Sequence, residues 1–263
     1  MCHRFDPDHI KTIDPDLSLA TLKHNLESQQ ATLATKLETL EKIKTVSEEQ
    51  SGSESLGTSK IKTSLCCLIE AIATSLETKE FCEMLGQNQG FLQELIGLLH
   101  LNSGASDAGI KAISALCCSE LNQESFIAEG LIDGLVMYIS SINRGQTVKA
   151  LATLELLLSL ENGREAVINN TIVIHVLVKM VFRVSNHEVS ESAVSLLLII
   201  CYESLKAREK AISARVLTQL LLLLQSQCSF RAKNKARLLL KLLRSVWAED
   251  PTVCKLQYGL VDT

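Results

Sequence analysis

The feature that most constrains this fold is a segment that recurs along the chain at a nearly constant interval. Similar segments begin at Gly90, Gly130, Thr171 and Arg215, so the intervals are 40, 41 and 44 residues. This period is typical of two- or three-helix solenoid repeats and differs from the periods of ankyrin and leucine-rich repeats. Because one repeat cannot bury its apolar face alone, neighbouring repeats must stack. The period therefore predicts an all-α, right-handed α-solenoid.

Each segment contains an apolar helix, a short polar break such as Asn102-Ser103-Gly104, and a longer helix rich in Ala and Leu. Proline occurs only at positions 7, 15 and 251, so no proline interrupts the helices between them. The longer helices are expected over residues 147–160, 190–202 and 231–246. Small residues that would let these helices approach one another recur at Ala112, Ala150, Ala193 and Ala236.

The repeats also define a domain organisation. Leu33, Leu37 and Leu40 have helical spacing, whereas residues 47–55 are polar without an apolar period. We expect helices to resume near Ser59. The predicted segments are a disordered segment 1–16, a helical capping or partial repeat 17–46, a flexible linker 47–58, the repeat domain 59–250 and a tail 251–263.

The composition argues against several classes of partner. A net charge of -4 gives no general attraction to nucleic acid, and the 4% of aromatic residues do not alternate with basic ones. The most apolar windows, 194–202 and 216–224, are far shorter than the ~20 residues of a membrane-spanning helix. We therefore expect no nucleic acid partner and no membrane span.

Nine cysteines would indicate a disulfide scaffold only in a short secreted chain, and two features of this sequence favour a reducing compartment instead. No signal peptide follows Met1, and the pairs Cys66-Cys67 and Cys117-Cys118 lie within apolar helical patterns, where a thiol packs as a small apolar group. We expect both pairs to pack in the core, and the protein to be cytoplasmic, with the nucleus left open.

Three stretches carry a family resemblance. Residues 150–157 read Ala-Leu-Ala-Thr-Leu-Glu-Leu-Leu and precede Asn162-Gly163-Arg164, and residues 178–185 read Val-Lys-Met-Val-Phe-Arg-Val-Ser. The leucine run 220–226 leads to the ending 239–247. Residues 31–247 resemble the armadillo region of plant U-box ubiquitin ligases, especially the stress- and elicitor-responsive group. The resemblance implies an armadillo-type solenoid of two- to three-helix repeats that binds protein and needs no cofactor.

In that family an amino-terminal U-box recruits a ubiquitin-conjugating enzyme, and the armadillo repeats bind the substrate. The first predicted helix here begins at residue 17, and the Cys-Pro and Asp-Pro-Val words typical of a U-box are absent. We expect a partner-binding module of the ubiquitination pathway that is not an enzyme by itself. The alternative is a truncated U-box-type E3 ubiquitin transferase acting in stress or defence signalling. A purely structural scaffold is a third interpretation.

Importin-type armadillo proteins carry an Asn on each third helix that binds the backbone of an extended peptide. The corresponding positions are Cys118, Leu156, Ile199 and Leu242. The resemblance therefore does not extend to a receptor for nuclear signals.

The candidate partner-binding residues form a basic stripe: Lys233, Arg237, Lys241 and Arg244. They are spaced i, i+4, i+8 and i+11, opposite an apolar face that includes Ala236 and Leu239. One interpretation is a site for an acidic or phosphorylated partner. The other is a solvated face, because cations suit the carboxy-terminal half of a helix.

Other chemistry-bearing residues give no site. Cys2, His3 and His9 do not match a four-ligand metal pattern, so we expect no metal. His175 has no nucleophile or orienting acid near it in sequence. Asn169-Asn170-Thr171 matches a glycosylation acceptor but is expected to cap or link helices. No phosphate-binding loop or hydrolase motif occurs, so we predict no catalytic residue.

Overall fold

The computed structural model describes residues 56–73, 79–101, 103–141, 144–183 and 186–247. These residues form α-helices joined by turns, and none of them forms a β-strand. The predicted segments 1–16, 17–46 and 251–263 lie outside this part of the chain. The helices are α1 Leu56–Ala73, α2 Lys79–Gly86, α3 Gln89–Leu98, α4 Gly104–Leu116, α5 Glu120–Ala128, α6 Leu131–Ser140, α7 Thr147–Leu157, α8 Glu161–Asn169, α9 Val173–Val181, α10 His187–Glu203, α11 Leu205–Ser213, α12 Val216–Gln225 and α13 Phe230–Trp247.

The helices α2 to α13 form four repeats of three helices each. Every repeat has a short first helix, an apolar second helix and a third helix that is the longest of the three. The third helices α4, α7, α10 and α13 pack in that order, and α1 packs against α4 as the third helix of a preceding repeat. The second helices α3, α6, α9 and α12 form a parallel row. The prediction of an all-α solenoid is confirmed.

The short first helices α2, α5, α8 and α11 were not among the predicted elements. The predicted repeat starts coincide instead with the second helices, as at Gly130, which directly precedes α6. Two of these first helices bury few side chains: α8 buries only Gly163 and Val167, and α11 only Ala207 and Ala211. An apolar period cannot be recognised from two buried positions.

Three predicted boundaries move by a few residues. α1 begins at Leu56 rather than near Ser59, so residues 56–58 belong to the helix and not to the predicted linker 47–58. α7 ends at Leu157, before the predicted end at residue 160. α10 begins at His187, because the side chain of Asn186 accepts a hydrogen bond from the backbone N–H of Val189 and so caps the helix.

The register of the first full repeat also differs from the predicted one. Gln123 donates a hydrogen bond to the carbonyl of Cys117 at 2.7 Å, and Arg164 donates to the carbonyl of Leu158 at 2.9 Å. Both contacts join a first helix to the end of the preceding third helix, so Cys117 corresponds to Leu158. In this register Gly109, not Ala112, matches the buried Ala150. Ala112 is also buried, which is why sequence spacing alone selected it.

The junctions between repeats explain the Asn162-Gly163-Arg164 word. Gly163 lets α8 approach the end of α7, because a Cβ at this position would lie 2.0 Å from the carbonyl oxygen of Leu157. Arg164 then donates hydrogen bonds of 2.9 Å to the carbonyls of Leu158 and Ser159. Carbonyls at the end of a helix have no partner within it. A side chain of the next first helix therefore caps the third helix.

At the neighbouring junctions other side chains cap the end of the third helix in the same way. In α11, Arg208 donates to the carbonyls of Cys201 at 2.6 Å and Tyr202 at 3.1 Å. In α5, the buried Asn122 donates to the carbonyls of Leu116 and Cys82, each at 3.0 Å. The contact with Cys82 reaches α2 of the preceding repeat, so each junction holds two repeats together.

Candidate functional site

The third helices present one continuous side to solvent, which we call the third-helix face: Lys111 and Ala115 of α4, Ala152 and Leu156 of α7, Ile199 and Tyr202 of α10, and Leu238 and Leu242 of α13. Several large apolar side chains on this face are exposed. The exposed fraction is 40% for Leu156, 73% for Tyr202 and 55% for Leu238. Exposed apolar side chains that lie together mark binding surfaces more often than scattered ones do.

The positions that correspond to the importin asparagines lie on this face. Leu156, Ile199 and Leu242 are separated by equal intervals of 43 residues. The matching residue of α4 is Ala115 and not the predicted Cys118. The alignment of Cys117 with Leu158 pairs Ala115 with Leu156, about one helical turn before Cys118. Hydrocarbon side chains cannot hydrogen bond to a peptide backbone, so this face cannot bind an extended peptide as an asparagine ladder does.

Two ion pairs join third helices of the stack, one between the neighbours α10 and α13 and one between α1 and α7. Lys235 Nζ of α13 lies 3.4 Å from Glu191 Oε1 of α10 and 2.6 Å from Ser195 Oγ. The hydroxyl of Ser229 donates to Glu191 Oε2 at 2.7 Å. The Ser229 hydrogen bond, together with the charge of Lys235, holds the pKa of Glu191 below its ordinary value. On the other side of the stack, Lys149 Nζ lies 3.4 Å from Glu70 Oε1 of α1.

The predicted basic stripe lies on a different side of α13. Its opposite face is buried as predicted, with Ala232, Ala236, Leu239 and Leu243 all inaccessible to solvent. Arg237, Lys241 and Arg244 are exposed and Lys233 is half-buried. Arg237 donates to Asn234 Oδ1 at 3.0 Å, and within the described residues none of the four cations forms an ion pair.

Only one cysteine of each pair packs in the core, although both were predicted to do so. Cys66 and Cys117 are buried, but Cys67 and Cys118 are exposed. Successive residues of a helix point in directions about 100° apart, so one apolar face cannot bury both members of a pair. Burial raises the pKa of Cys66 to about 12, and it raises the pKa of Cys201 to about 12 as well. The buried thiols are therefore protonated packing groups.

The remaining candidates form no catalytic site in the described residues. His175 is exposed on α9, while Asn170 Oδ1 accepts hydrogen bonds from the N–H groups of Ile172 at 2.8 Å and Val173 at 3.2 Å, as expected for a cap. Cys2, His3 and His9 lie outside the described residues. Among those that are described, no group of His, Cys, Asp and Glu is arranged to hold a metal ion.

A cleft of about 230 Å³ lies between the second and third repeats, where Arg144 and Arg183 meet Met180 and Asn186. The described residues that line it include no His, Cys, Asp or Glu, so they offer no general acid or base. Arg144 instead stacks on the ring of Tyr138, 4.9 Å from its centroid, and the Tyr138 hydroxyl donates to Asp107 of α4. This network joins two repeats. No helix in the described part of the chain is both long and apolar enough to cross a membrane.

Comparison with known proteins gives a consistent family. The family described as the plant U-box protein ARM repeat region matches residues 20–260. U-box domain-containing protein 26 of Arabidopsis thaliana is 35% identical over 201 residues, which are 74% of this chain and 47% of that protein. U-box domain-containing protein 25 of the same plant is 33% identical over 186 residues, 69% of this chain and 44% of that protein.

More distant relatives include the Arabidopsis E3 ubiquitin-protein ligase PUB22, which is 27% identical over 187 residues, 68% of this chain and 42% of that protein. The chain thus spans about half the length of the curated relatives it matches. Among solved structures, a designed armadillo repeat protein in complex with the peptide (KR)4 has a TM-score of 0.57 at 18% identity, over 86% of this chain and 99% of that one. Computationally designed armadillo repeat proteins for modular peptide recognition have a TM-score of 0.61 at 19% identity, over 85% of this chain and 99% of that one.

Proposed function

Because this chain belongs to the armadillo-repeat region of the plant U-box proteins, we propose that it binds a protein partner through its third-helix face and carries out no chemistry itself. The observation that carries the proposal is the exposure of the apolar side chains Leu156, Tyr202 and Leu238, each on the solvent side of one of three successive third helices. Exposure of apolar side chains to water is unfavourable in free energy, and contact with a partner's apolar surface would remove that penalty. We propose the cytoplasm as the compartment.

The chemistry of the face indicates how a partner would be held. The ion pair of Lys235 with Glu191 joins the neighbouring helices α10 and α13, and that of Lys149 with Glu70 joins α7 to α1 across α4, so both pairs oppose relative movement of the third helices. Rigid surfaces lose little conformational entropy when a partner binds. Apolar side chains of the partner would contact Leu156 and Leu238, and the phenol of Tyr202 could donate a hydrogen bond at the edge.

Ubiquitin ligation is the second candidate function, favoured by one observation. The curated relatives are U-box proteins, and this chain matches less than half the length of each, so a longer protein containing these repeats would carry the recruiting domain. In that case the third-helix face would bind the substrate of the ligase. Incubation of the protein isolated from its own cells with ubiquitin, an activating enzyme and a conjugating enzyme separates the two functions. Formation of ubiquitin chains would refute a pure binding role.

The binding role is tested with matched surface variants. Leu156→Asp and Leu238→Asp change the third-helix face, while Met137→Asp changes another exposed apolar side chain, 53% accessible, on the second helix α6. Affinity-tagged versions are expressed in plant cells and the retained proteins are quantified by mass spectrometry. We expect a defined set of proteins to bind the parent chain and Met137→Asp, and to be lost with the two third-helix variants. Equal recovery with all versions would contradict the proposal.

A further inference from the structure

The second helices are buried at equivalent positions in successive repeats. In α3 these positions are Ile96 and Leu99, which lie against Gly134 of the following α6: a Cβ on Gly134 would be 3.1 Å from Ile96 Cγ2 and 3.2 Å from Leu99 Cδ1. The corresponding residues of the later helices are Val136 and Ile139 of α6, Val178 and Val181 of α9, and Leu221 and Leu224 of α12.

These positions change their exposure at the last repeat. In α3, α6 and α9 each of them is buried. In α12, Leu221 is 53% exposed, and Leu224 and the adjacent Leu217 are half-buried. The leucines of α12 therefore occupy the side onto which a further repeat would stack, and no described residue covers Leu221.

The basic stripe lies on the same end of the stack. The residues of α10 that correspond to Lys233, Arg237 and Arg244 are Ser190, Val194 and Cys201, and all three are buried. Lys235 reaches back to α10, whereas Arg237 lies about 200° further round the helix, at 100° per residue. The stripe thus faces away from the preceding repeat.

We propose that this end of the solenoid is a docking site for an acidic amphipathic helix of a partner protein. The end face consists of Leu217, Leu221 and Leu224 of α12 and Lys233, Arg237, Lys241 and Arg244 of α13. This proposal adds a class of partner to the proposed function. It rests on that function only in assuming that the chain binds protein, since the end face and the third-helix face are different surfaces.

The positive charge of the end face favours an acidic amphipathic helix as the partner. Four cations lie on the same end of the stack as the leucines, and no described carboxylate pairs with any of them. A helix that places apolar side chains on the leucines and Asp or Glu beside the stripe satisfies both halves of the surface. Eleven residues separate Lys233 from Arg244, a distance of about 16 Å along α13, which three turns of a partner helix would cover.

Other occupants fit less well. A second copy joined symmetrically would bring two basic stripes together, and like charges repel. A phosphate group or nucleic acid would pair with the cations but would leave Leu221 uncovered. Both alternatives give distinct results in the experiment below.

The experiment measures the binding of fluorescent synthetic peptides to the full chain by anisotropy. The probe is an acidic amphipathic peptide of about 18 residues, with Leu at helical spacing flanked by Glu, and the controls are a scrambled peptide and a version with Lys in place of Glu. We expect only the acidic amphipathic peptide to bind, and more weakly at high salt. Arg237→Glu combined with Lys241→Glu, and separately Leu221→Asp, should each weaken binding about tenfold or more.

Leu156→Asp, on the third-helix face, is the matched control and should leave peptide binding unchanged. Each variant is checked by its urea unfolding midpoint. Equal binding of the scrambled peptide would overturn the proposal, as would loss of binding with Leu156→Asp, although the latter would leave the proposed function intact. A dimer in solution that Leu221→Asp abolishes would overturn it in favour of a second copy, and tighter binding of a phosphate-rich polyanion than of the peptide would assign the stripe to phosphate.

Discussion

The substitution Gly163→Ala is expected to destabilise the protein, against the usual preference of helices for alanine. Within a helix, alanine is favoured over glycine by about 0.8–1.0 kcal/mol. At Gly163, however, the new Cβ would lie 2.0 Å from the carbonyl oxygen of Leu157 and 2.8 Å from its carbonyl carbon. A comfortable carbon–oxygen contact is ~3.3 Å, so the Cβ is about 1.3 Å too close. The obstacle is backbone, which no change of rotamer can remove.

Relief of this clash requires α8 to move away from the end of α7, which stretches the hydrogen bonds of Arg164 to Leu158 and Ser159. Overpacking of this kind costs about 1–3 kcal/mol, and the loss of part of a hydrogen-bonded cap adds to it. After subtraction of the helix preference, we expect Gly163→Ala to lower the free energy of unfolding by about 1–3 kcal/mol.

The matched control is Gly97→Ala in α3, where no atom lies within 4 Å of the new Cβ. This change should raise the free energy of unfolding by up to about 1 kcal/mol. Urea unfolding followed by circular dichroism measures both variants. If Gly163→Ala is as stable as the parent chain, or if both changes shift the midpoint in the same direction, the close approach at the junction does not have the role assigned to it.

Three further predictions concern the thiols and the turn before α12. A maleimide reagent at pH 7 should label Cys67 and Cys118 in the folded chain and leave Cys201 unlabelled until urea is added, as read by peptide mapping. Burial raises the pKa of Cys201 to about 12 in the folded state, against about 9 when the chain is unfolded, so the unfolded chain loses this proton first. The free energy of unfolding is therefore unaffected by this thiol below pH 9 and decreases as the pH rises from 9 to 12. The urea midpoint should therefore drop between pH 8 and pH 10, less so in Cys201→Ala. Arg215 has the left-handed φ of 65° that Gly130 also adopts at 84°, so Arg215→Gly should stabilise by about 0.5–1 kcal/mol.

Each of these has a contrary result. Labelling of Cys201 at the rate of Cys118 would show that the end of α10 opens in the folded state. An unchanged pH dependence in Cys201→Ala would assign the alkaline loss of stability to other groups. A lower unfolding midpoint for Arg215→Gly would mean that contacts of the arginine side chain outweigh the strain of its backbone.

The sequence predicted the second and third helices because each buries a long apolar face with a regular period. It could not reveal a first helix such as α11, which buries only Ala207 and Ala211. The register at Ala112 was wrong because Gly109 and Ala112 are both small and buried, and only the contact of Gln123 with Cys117 distinguishes them.

The candidate surfaces were predictable to different degrees. The spacing of Lys233, Arg237, Lys241 and Arg244 correctly indicated one side of a helix with a buried face opposite. Which direction that side faces depends on the stacking order of α10 and α13, which a helical wheel does not contain. The exposed leucines of α12 were also missed, because their equivalents in earlier repeats are buried and the sequence pattern is the same in both cases.

The capped junctions determine the order in which the solenoid should lose its structure. Arg164 and Arg208 close the ends of α7 and α10, so unfolding of an interior repeat must break contacts on both sides. In the described chain no first helix follows α13, so the described residues hold that repeat from one side only. In a linear array of this kind, opening begins at the less constrained end and advances one repeat at a time. Amide hydrogens of α12 and α13 should accordingly exchange with solvent before those of α7. A partner helix docked on the end face would slow this first opening and, with it, the unfolding of the repeats that follow.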